Sequence, residues 1–144
     1  MTEPARNPSG LPNRASRASK ARAAKTADVE MPALDLARRI VELAEDKKAA
    51  DIVLLDLTGL TTVADYFVIA SGGSERQLDA IADGIISGMR DEKVHAYGRE
   101  GTAASHWILV DFGSVIVHVF TPPERDYYQL EKAWAKAKTI LRLQ

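Results

Sequence analysis

The fold is decided by Asp65-Tyr-Phe-Val-Ile-Ala70 and by the residues that follow it directly, Ser71-Gly-Gly-Ser-Glu-Arg-Gln77. The first stretch is rich in β-branched and aromatic residues and predicts a strand. In the second, the Ser74 hydroxyl can accept a hydrogen bond from the Gln77 N–H while the Gln77 side chain returns to the Ser74 N–H, which is a capping box. Together they predict a strand, a tight turn and a helix that begins at Ser74.

The chain before and after this unit continues to alternate between strands and helices. Apolar residues at helical spacing predict a helix from Leu34 to about Lys47–Lys48, and the largely apolar run at 51–57 predicts a strand buried on both faces. The helix after Ser74 contains Gly84 and Gly88, which mark either close packing or a lower intrinsic stability. Its apolar stripe consists of Leu78, Ile81, Ala82, Ile85, Ile86 and Met89.

The second half of the chain predicts three further strands and one helix. Val94–Tyr97 predicts a short strand and Gly98–Ser105 a polar loop, while 107–111 and 115–120 predict an antiparallel hairpin. Thr121 precedes Pro-Pro-Glu124 and predicts the N-cap of a last helix. One side of that helix would carry Tyr127, Leu130, Trp134, Ala137 and Leu141. The order α-β-β-α-β-β-β-α predicts a mixed α/β domain with a single five-stranded sheet and helices packed on it.

Composition narrows the classes of function. The chain has 144 residues, 46% of them hydrophobic, which is enough for one domain with a core. It contains no cysteine, which excludes disulfides, Cys-ligated metal sites and a thiol nucleophile, and fits a reducing compartment. No run approaches the length of a membrane-spanning helix or a signal peptide. A cytoplasmic location is expected, with a mitochondrial one as the alternative.

Charge is distributed unevenly along the chain. Residues 1–27 hold six basic side chains and one acidic one, which leaves 13 of the 19 basic and 19 of the 20 acidic side chains for the rest. The N-terminal stretch is also poor in large apolar residues, so we predict a disordered basic extension at 1–30 and a folded domain at 31–144. A mitochondrial transit peptide is the alternative, although Pro4, Pro8, Gly10 and Pro12 would interrupt its helix. A third possibility is weak attraction of the basic extension to RNA phosphates.

A search for catalytic motifs returns little. Ser71–Ser74 could bind an anion at a helix N-terminus, but no P-loop or dinucleotide motif accompanies it, which favours a tight turn before a capped helix. Asp79 and Asp83 lie one helical turn apart and are more simply a solvated surface than a magnesium pair. Asp111-Phe-Gly113 copies a kinase motif by letter only and predicts a hairpin turn. The three histidines, His95, His106 and His118, lack ligand spacing. No cofactor and no metal are predicted.

The aromatic residues indicate binding of a partner. Tyr97, Trp107 and Phe112 bracket the predicted loop and hairpin, and tyrosine and tryptophan often anchor protein interfaces. Trp107 at a strand start is equally compatible with a core position. Trp134, on the apolar side of the predicted last helix, favours the core.

The ordered blocks of this sequence resemble the RsfS/Iojap ribosomal silencing factors. The resemblance covers about residues 34–135. The matching blocks are Asp51-Ile-Val-Leu-Leu-Asp56, Ala64-Asp-Tyr-Phe-Val-Ile-Ala70, Gly73-Ser-x-x-Gln77 with Ala80-Ile-Ala-Asp83, Trp107-Ile-Leu-Val-Asp-Phe-Gly113, Val117-His-Val-Phe120, and Arg125-x-Tyr-Tyr-x-Leu-Glu131 with Trp134. The resemblance implies a nucleotidyltransferase-like fold without the metal-binding acids, and therefore no enzymatic activity.

The resemblance also implies a partner and an action. Members of this family bind the large ribosomal subunit through a ribosomal protein on its subunit-joining face, obstruct the small subunit when nutrients are scarce, and in organelles act in large-subunit assembly. We therefore predict a docking face at 98–111. Its proposed residues are Trp107 as the apolar anchor with Tyr97 beside it, Glu100 and Asp111 facing partner cations, and Gly98 and Gly101 shaping the loop.

Other interpretations remain open from the sequence. One is a small or degenerate nucleotidyltransferase that binds a nucleotide at Gly72–Ser74, and another is an RNA-binding module that depends on residues 1–27. An exposed sheet edge would also permit a homodimer.

Overall fold

The computed structural model describes residues 31–144, so the predicted disordered extension at 1–30 lies outside the described residues. The described part is a mixed α/β domain built on a single sheet, as predicted. No helix in 31–144 is both long enough and apolar enough to cross a membrane. The helices are α1 (Ala33–Asp46), α2 (Glu75–Asp91), α3 (Pro122–Tyr128) and α4 (Leu130–Ala133), and the strands are β1 (Ala50–Asp56), β2 (Tyr66–Ser71), β3 (Gly98–Thr102), β4 (Trp107–Asp111), β5 (Val115–Phe120) and β6 (Lys138–Leu143).

The sheet has six strands in the order β3-β4-β5-β2-β1-β6. Only the central pair, β2 and β5, is parallel, with Phe67 opposite Ile116 and Ser71 opposite Phe120. All the other pairs in the described sheet are antiparallel. The four interior strands are largely apolar on both faces, because helices or loops cover both sides of the sheet.

One face of the sheet packs against α1 and α2. The apolar stripes of the two helices meet aliphatic side chains of β1, β2, β4 and β5. Gly88 lies so close to α1 that an added Cβ would be 2.5 Å from a methyl group of Leu43, and a Cβ on Gly84 would be 2.7 Å from Lys47 Cε. Close packing therefore accounts for Gly88, whereas the neighbour of Gly84 is the flexible side chain of Lys47.

The predicted start of α2 is confirmed, with one difference in its hydrogen bonds. Ser74 Oγ accepts from the Gln77 N–H at 3.1 Å, but Gln77 Oε1 accepts from the Gly73 N–H at 2.7 Å instead of from Ser74. Gln77 Nε2 also donates to the carbonyl oxygen of Lys48 at 2.9 Å. The glutamine thus ties the start of α2 to the loop that follows α1.

The opposite face of the sheet is aromatic. Phe67, Trp107, His118 and Phe120 project from it, and Trp134 closes it from the C-terminal segment. The cover consists of the short helices α3 and α4 and the 57–64 connection.

The predicted last helix is wrong beyond Ala133. The chain leaves α3 at Gln129, which has a left-handed conformation with φ +48°, makes one further turn in α4, and then forms β6. Strand β6 pairs antiparallel with β1, for example Arg142 with Val53. The free edge of β1 supplies hydrogen-bond partners that no helical arrangement of this segment could use, and the sheet gains its sixth strand.

The prediction for residues 94–105 places the strand four residues too early. Val94–Tyr97 is not a strand, and 98–102 is a strand where a loop was predicted. Gly98 and Gly101 lower the strand propensity of this stretch, but the exposed edge of β4 pairs with it from Gly98–Asp111 to Thr102–Trp107.

Candidate docking surface

Trp107 lies in the core of the aromatic face. Its side chain is only 5% exposed, and its indole Nε1 donates to Nδ1 of His118 at 3.2 Å. The indole ring lies 4.7 Å from the ring of Phe120 and 4.8 Å from that of Tyr128. The structure thus shows the core position that the sequence left open, and the indole does not reach the surface as an anchor.

His118 is the polar partner of this aromatic cluster. It is fully buried, and burial lowers its pKa from 6.5 to about 3, so the imidazole is neutral at physiological pH. Because Nδ1 accepts from Trp107, the ring proton is on Nε2. The ring also makes an edge contact with Phe67 at 4.7 Å. The sequence prediction of a structural histidine agrees with this geometry.

Asp111 is also buried, with 0% exposure, and does not face outward as predicted. Its Oδ1 accepts from the Gly113 N–H at 2.7 Å, and its carbonyl oxygen accepts from the Tyr97 N–H at 2.8 Å. The carboxylate stabilises the turn between β4 and β5 and cannot meet a partner cation in this conformation.

The remaining predicted residues lie together at the β3 edge. In the ladder, Gly98 stands opposite Asp111 and Glu100 opposite Leu109, which puts Glu100 on the same side of the sheet as Trp107. Tyr97, Gly98 and Glu100 are half-buried and Gly101 is exposed. The structure therefore places five of the six predicted site residues in the paired strands β3 and β4 and Tyr97 directly before β3, and four of the six are at least partly exposed.

Gly101 fixes the shape of this edge. Its φ is +81°, and an added Cβ would lie 2.1 Å from the carbonyl oxygen of Trp107. Next to it, Arg99 points to the other side of the sheet and binds Asp83 and Asp79 at 2.7 Å each. The side chains of Asp79 and Asp83 are 51% and 70% exposed, so they belong to the solvated surface that the sequence suggested, and their pairing with Arg99 links β3 to α2 there.

Tyr127 is the exposed aromatic residue that the sequence did not single out. It is 77% exposed, against 42% for Leu60, the other large apolar side chain exposed among residues 31–144. Its ring makes an edge contact at 4.9 Å with Tyr128, which in turn packs on Trp107. An aromatic column therefore runs from the core at His118 to the surface at Tyr127. Helical periodicity assigned Tyr127 to the apolar side of a long helix, which concealed its exposure.

The other candidate sites carry ordinary structural contacts. At Gly72–Ser74 two of the three backbone donors are used internally, since the Gly72 N–H donates to the Phe120 carbonyl at 2.9 Å and the Gly73 N–H to Gln77. This is the tight turn that the sequence favoured. No group of three or more potential metal ligands occurs in the described part of the chain. His106 pairs with Glu75 at 3.2 Å on the surface.

The chain is similar to proteins of one family. The family model described as "Ribosomal silencing factor during starvation" (RsfS) matches residues 30–144. The ribosomal silencing factor RsfS of Halalkalibacterium halodurans is 39% identical over 106 residues, which cover 74% of this chain and 91% of that protein. RsfS of Bacillus subtilis is 45% identical over 93 residues, covering 65% and 79%. A crystal structure of a Chromobacterium violaceum protein superposes with a TM-score of 0.71 at 34% identity, covering 77% of this chain and 94% of that one.

Proposed function

The chain belongs to the RsfS family of ribosomal silencing factors, and from this we propose that it binds the large ribosomal subunit and blocks joining of the small subunit. In this proposal it contacts a ribosomal protein on the subunit-joining face, acts in the cytoplasm under nutrient limitation, and catalyses no reaction. A domain of this size can prevent subunit joining only by occupying surface, so its affinity and its placement determine its effect.

The observation that carries the proposal is the aromatic column that ends at Tyr127. A tyrosine that is 77% exposed and held by a second aromatic ring presents a large apolar area at a low cost in side-chain entropy. A partner surface that covers the ring would remove this apolar area from water.

We propose a docking surface formed by Tyr127 and by the β3 edge, where Tyr97, Gly98, Glu100 and Gly101 reach the surface. Trp107 and Asp111 support it from beneath: Trp107 carries the ring of Tyr128, and Asp111 fixes the adjoining turn. Encounter with a basic ribosomal protein is favoured by the acidic residues that outnumber basic ones after residue 27.

Sedimentation with separated ribosomal subunits tests the proposal. We expect the full chain to pellet with large subunits and not with small ones. Tyr127→Ala should weaken this binding at least about tenfold, because an exposed aromatic anchor contributes about 2 kcal/mol or more when a partner buries it. Leu60→Ala is the matched control, since it removes the other exposed apolar side chain, and it should bind like the wild type.

The two parts of the proposal fail in different ways. Absence of binding to large subunits, or equal binding to both subunits, would refute the function. Normal binding by Tyr127→Ala together with weak binding by Leu60→Ala would retain the function and move the docking surface to the 57–64 connection. Circular dichroism should be the same for both variants and the wild type, because neither side chain belongs to the core.

A further inference from the structure

A polar cleft of about 340 Å³ opens beside the C-terminal ends of β2 and β5. Its floor is the buried side chain of Ser71, and one wall is formed by α3. The cleft is lined by Asp51, Ser71, Pro122, Arg125, Asp126, Gln129, Glu131 and Lys132. None of these residues belongs to the predicted docking face.

The cleft occupies a special place in the topology. Strands β2 and β5 are parallel neighbours, but after Ser71 the chain turns to α2 on one face of the sheet, and after Phe120 it turns to α3 on the other. Where the connections of neighbouring parallel strands diverge in this way, a crevice remains outside their carboxyl ends, and α/β proteins bind ligands there. The fold therefore creates a preformed opening at this point.

Arg125 holds the cleft in shape through three of its five N–H donors. Its Nη1 donates to the carbonyl oxygen of Asp51 at 2.7 Å and to Ser71 Oγ at 2.8 Å. Its Nε donates to Glu131 Oε1 at 2.8 Å, and Arg142 also contacts Glu131 at 3.3 Å. The charges of Arg125 and Glu131 therefore neutralise each other inside the protein.

Two residues that line the cleft have left-handed backbone conformations. Asp51 and Gln129 both have φ +48°, a left-handed conformation that costs most non-glycine residues about 1 kcal/mol or more and is adopted more readily by Asp and Asn. Asp51 lies where the register of β1 shifts against β2. This irregular backbone turns Asp51 toward Arg125 and the cleft and interrupts an otherwise regular strand.

The charges that remain available in the cleft are mainly negative. No hydrogen bond or ion pair within residues 31–144 engages the carboxylates of Asp51 and Asp126, and Lys132 supplies one uncommitted ammonium group. Phosphate is a poor fit to such a lining, and so is a divalent metal, since the described residues lack a group of three ligands for it. An organic cation, amine or guanidinium, matches the two carboxylates.

The cleft and the docking surface flank the same short helix. Pro122, Arg125 and Asp126 form the side of α3 that lines the cleft, whereas Tyr128 points to Trp107. Tyr127 lies between Asp126 and Tyr128 in the helical turn. A protein that covers Tyr127 is thus close enough to extend a long side chain over α3 into the cleft.

We propose that the cleft receives a lysine or arginine side chain of the ribosomal protein on which the chain docks, with Asp51 and Asp126 as its counter-ions. This inference rests on the proposed function and adds the chemistry of the contact. The cation enters an open cleft and keeps part of its hydration, so the contact determines orientation and specificity more than total affinity.

Binding of charge-neutralised variants to purified bacterial large subunits tests the inference. Asp51→Asn keeps the left-handed conformation, which asparagine tolerates well, and Asp126→Asn is isosteric on an exposed helix. We expect the double variant to bind about tenfold more weakly than the wild type at physiological salt. Lys132→Gln removes the competing cation and should tighten binding about twofold. Asp91→Asn, an exposed aspartate at the far end of α2, is the control and should change nothing.

The outcomes separate this inference from the function on which it rests. The inference would be supported if the aspartate double variant bound large subunits more weakly and Lys132→Gln bound them more tightly than the wild type, with unchanged binding by the control. Unchanged binding by the double variant would refute it and leave the function intact. Tighter binding by the double variant would place the cleft against ribosomal RNA phosphates and would also refute it. If the wild type does not bind large subunits, both proposals are wrong.

Discussion

The two faces of the central sheet bury different chemistry. The face under α1 and α2 is aliphatic, and its side chains come mostly from regular elements. The face under α3 and α4 is aromatic and contains the Trp107–His118 hydrogen bond within the core. Its cover is made of helices of seven and four residues and of connecting segments.

The two faces therefore differ in how closely they are connected to the proposed docking surface. Long helices bury the aliphatic face by periodic contacts, and we expect this face to tolerate small changes better than the aromatic one. The aromatic face connects its core to the surface through the rings of Tyr128 and Tyr127, so changes inside it reach the proposed docking surface. A buried polar pair also has stricter geometry than aliphatic packing.

Trp107→Glu should have the largest effect on stability. It places a carboxylate where 5% of the side chain is exposed and removes the hydrogen-bond donor to His118. We expect a loss of at least about 4 kcal/mol in the free energy of unfolding, measured by denaturant titration. Loss of ribosome binding by this variant would then reflect unfolding, and only a variant such as Tyr127→Ala can report on docking.

Trp107→Phe is the milder change at the same position. It keeps an aromatic ring and removes only the N–H donor and part of the volume, so we expect a loss of about 1–2 kcal/mol. A Trp107→Glu protein with wild-type stability would show that the aromatic face opens easily and would remove the distinction between the two faces.

The aliphatic face could be predicted from the sequence because its signals are local. The stripe that includes Leu78, Ile81 and Ile85 and the Ser74 cap depend on neighbours within one or two turns, and both appear in α2. The hairpin of β4 and β5 is local in the same sense. The two wrong assignments, at 98–102 and 138–143, concern edge strands, which form because a distant strand offers unpaired backbone groups.

The sequence predicted which segment would carry the candidate site, but not which of its side chains are exposed. Strand β4 is buried on both faces, so alternation along Trp107–Asp111 holds no information about which side chains reach solvent. The exposure of Tyr127 depends on Gln129, whose left-handed conformation ends α3 and redirects the chain. No local sequence pattern predicts the turn at Gln129, and the apolar spacing after Tyr127 is equally compatible with one continuous helix.

Lowering the pH should destabilise the protein through the aromatic face. The folded chain keeps His118 neutral because burial lowers its pKa to about 3, while the unfolded chain binds a proton near pH 6.5. The stabilising contribution is therefore complete above pH 6.5 and is lost as the pH falls toward 3. Between pH 7 and pH 5 we expect the free energy of unfolding to fall by about 2 kcal/mol, measured by urea titration at each pH.

His118→Phe is the control for this pH dependence. The variant keeps a ring among Phe67, Trp107 and Phe120 but has no group that titrates there. We expect it to be less stable than the wild type at pH 7, because Trp107 loses its acceptor, yet nearly constant between pH 7 and pH 5. An equally steep dependence in the variant would assign the effect to groups outside the aromatic face.

Gly88→Ala tests the aliphatic face and should have the smallest effect. An alanine in the middle of α2 favours the helix by about 1 kcal/mol, but its Cβ would meet a methyl group of Leu43 at 2.5 Å. Leu43 is at the margin of the core with 8% exposure, so its side chain can rotate away, and the two effects should cancel to within about 1 kcal/mol. Gly84→Ala meets only the flexible side chain of Lys47 and should stabilise the protein by about 0.5–1 kcal/mol in the same urea titration. If Gly88→Ala cost more than about 2 kcal/mol, the aliphatic face would be as rigid as the aromatic one, and tolerance to small changes would no longer separate them.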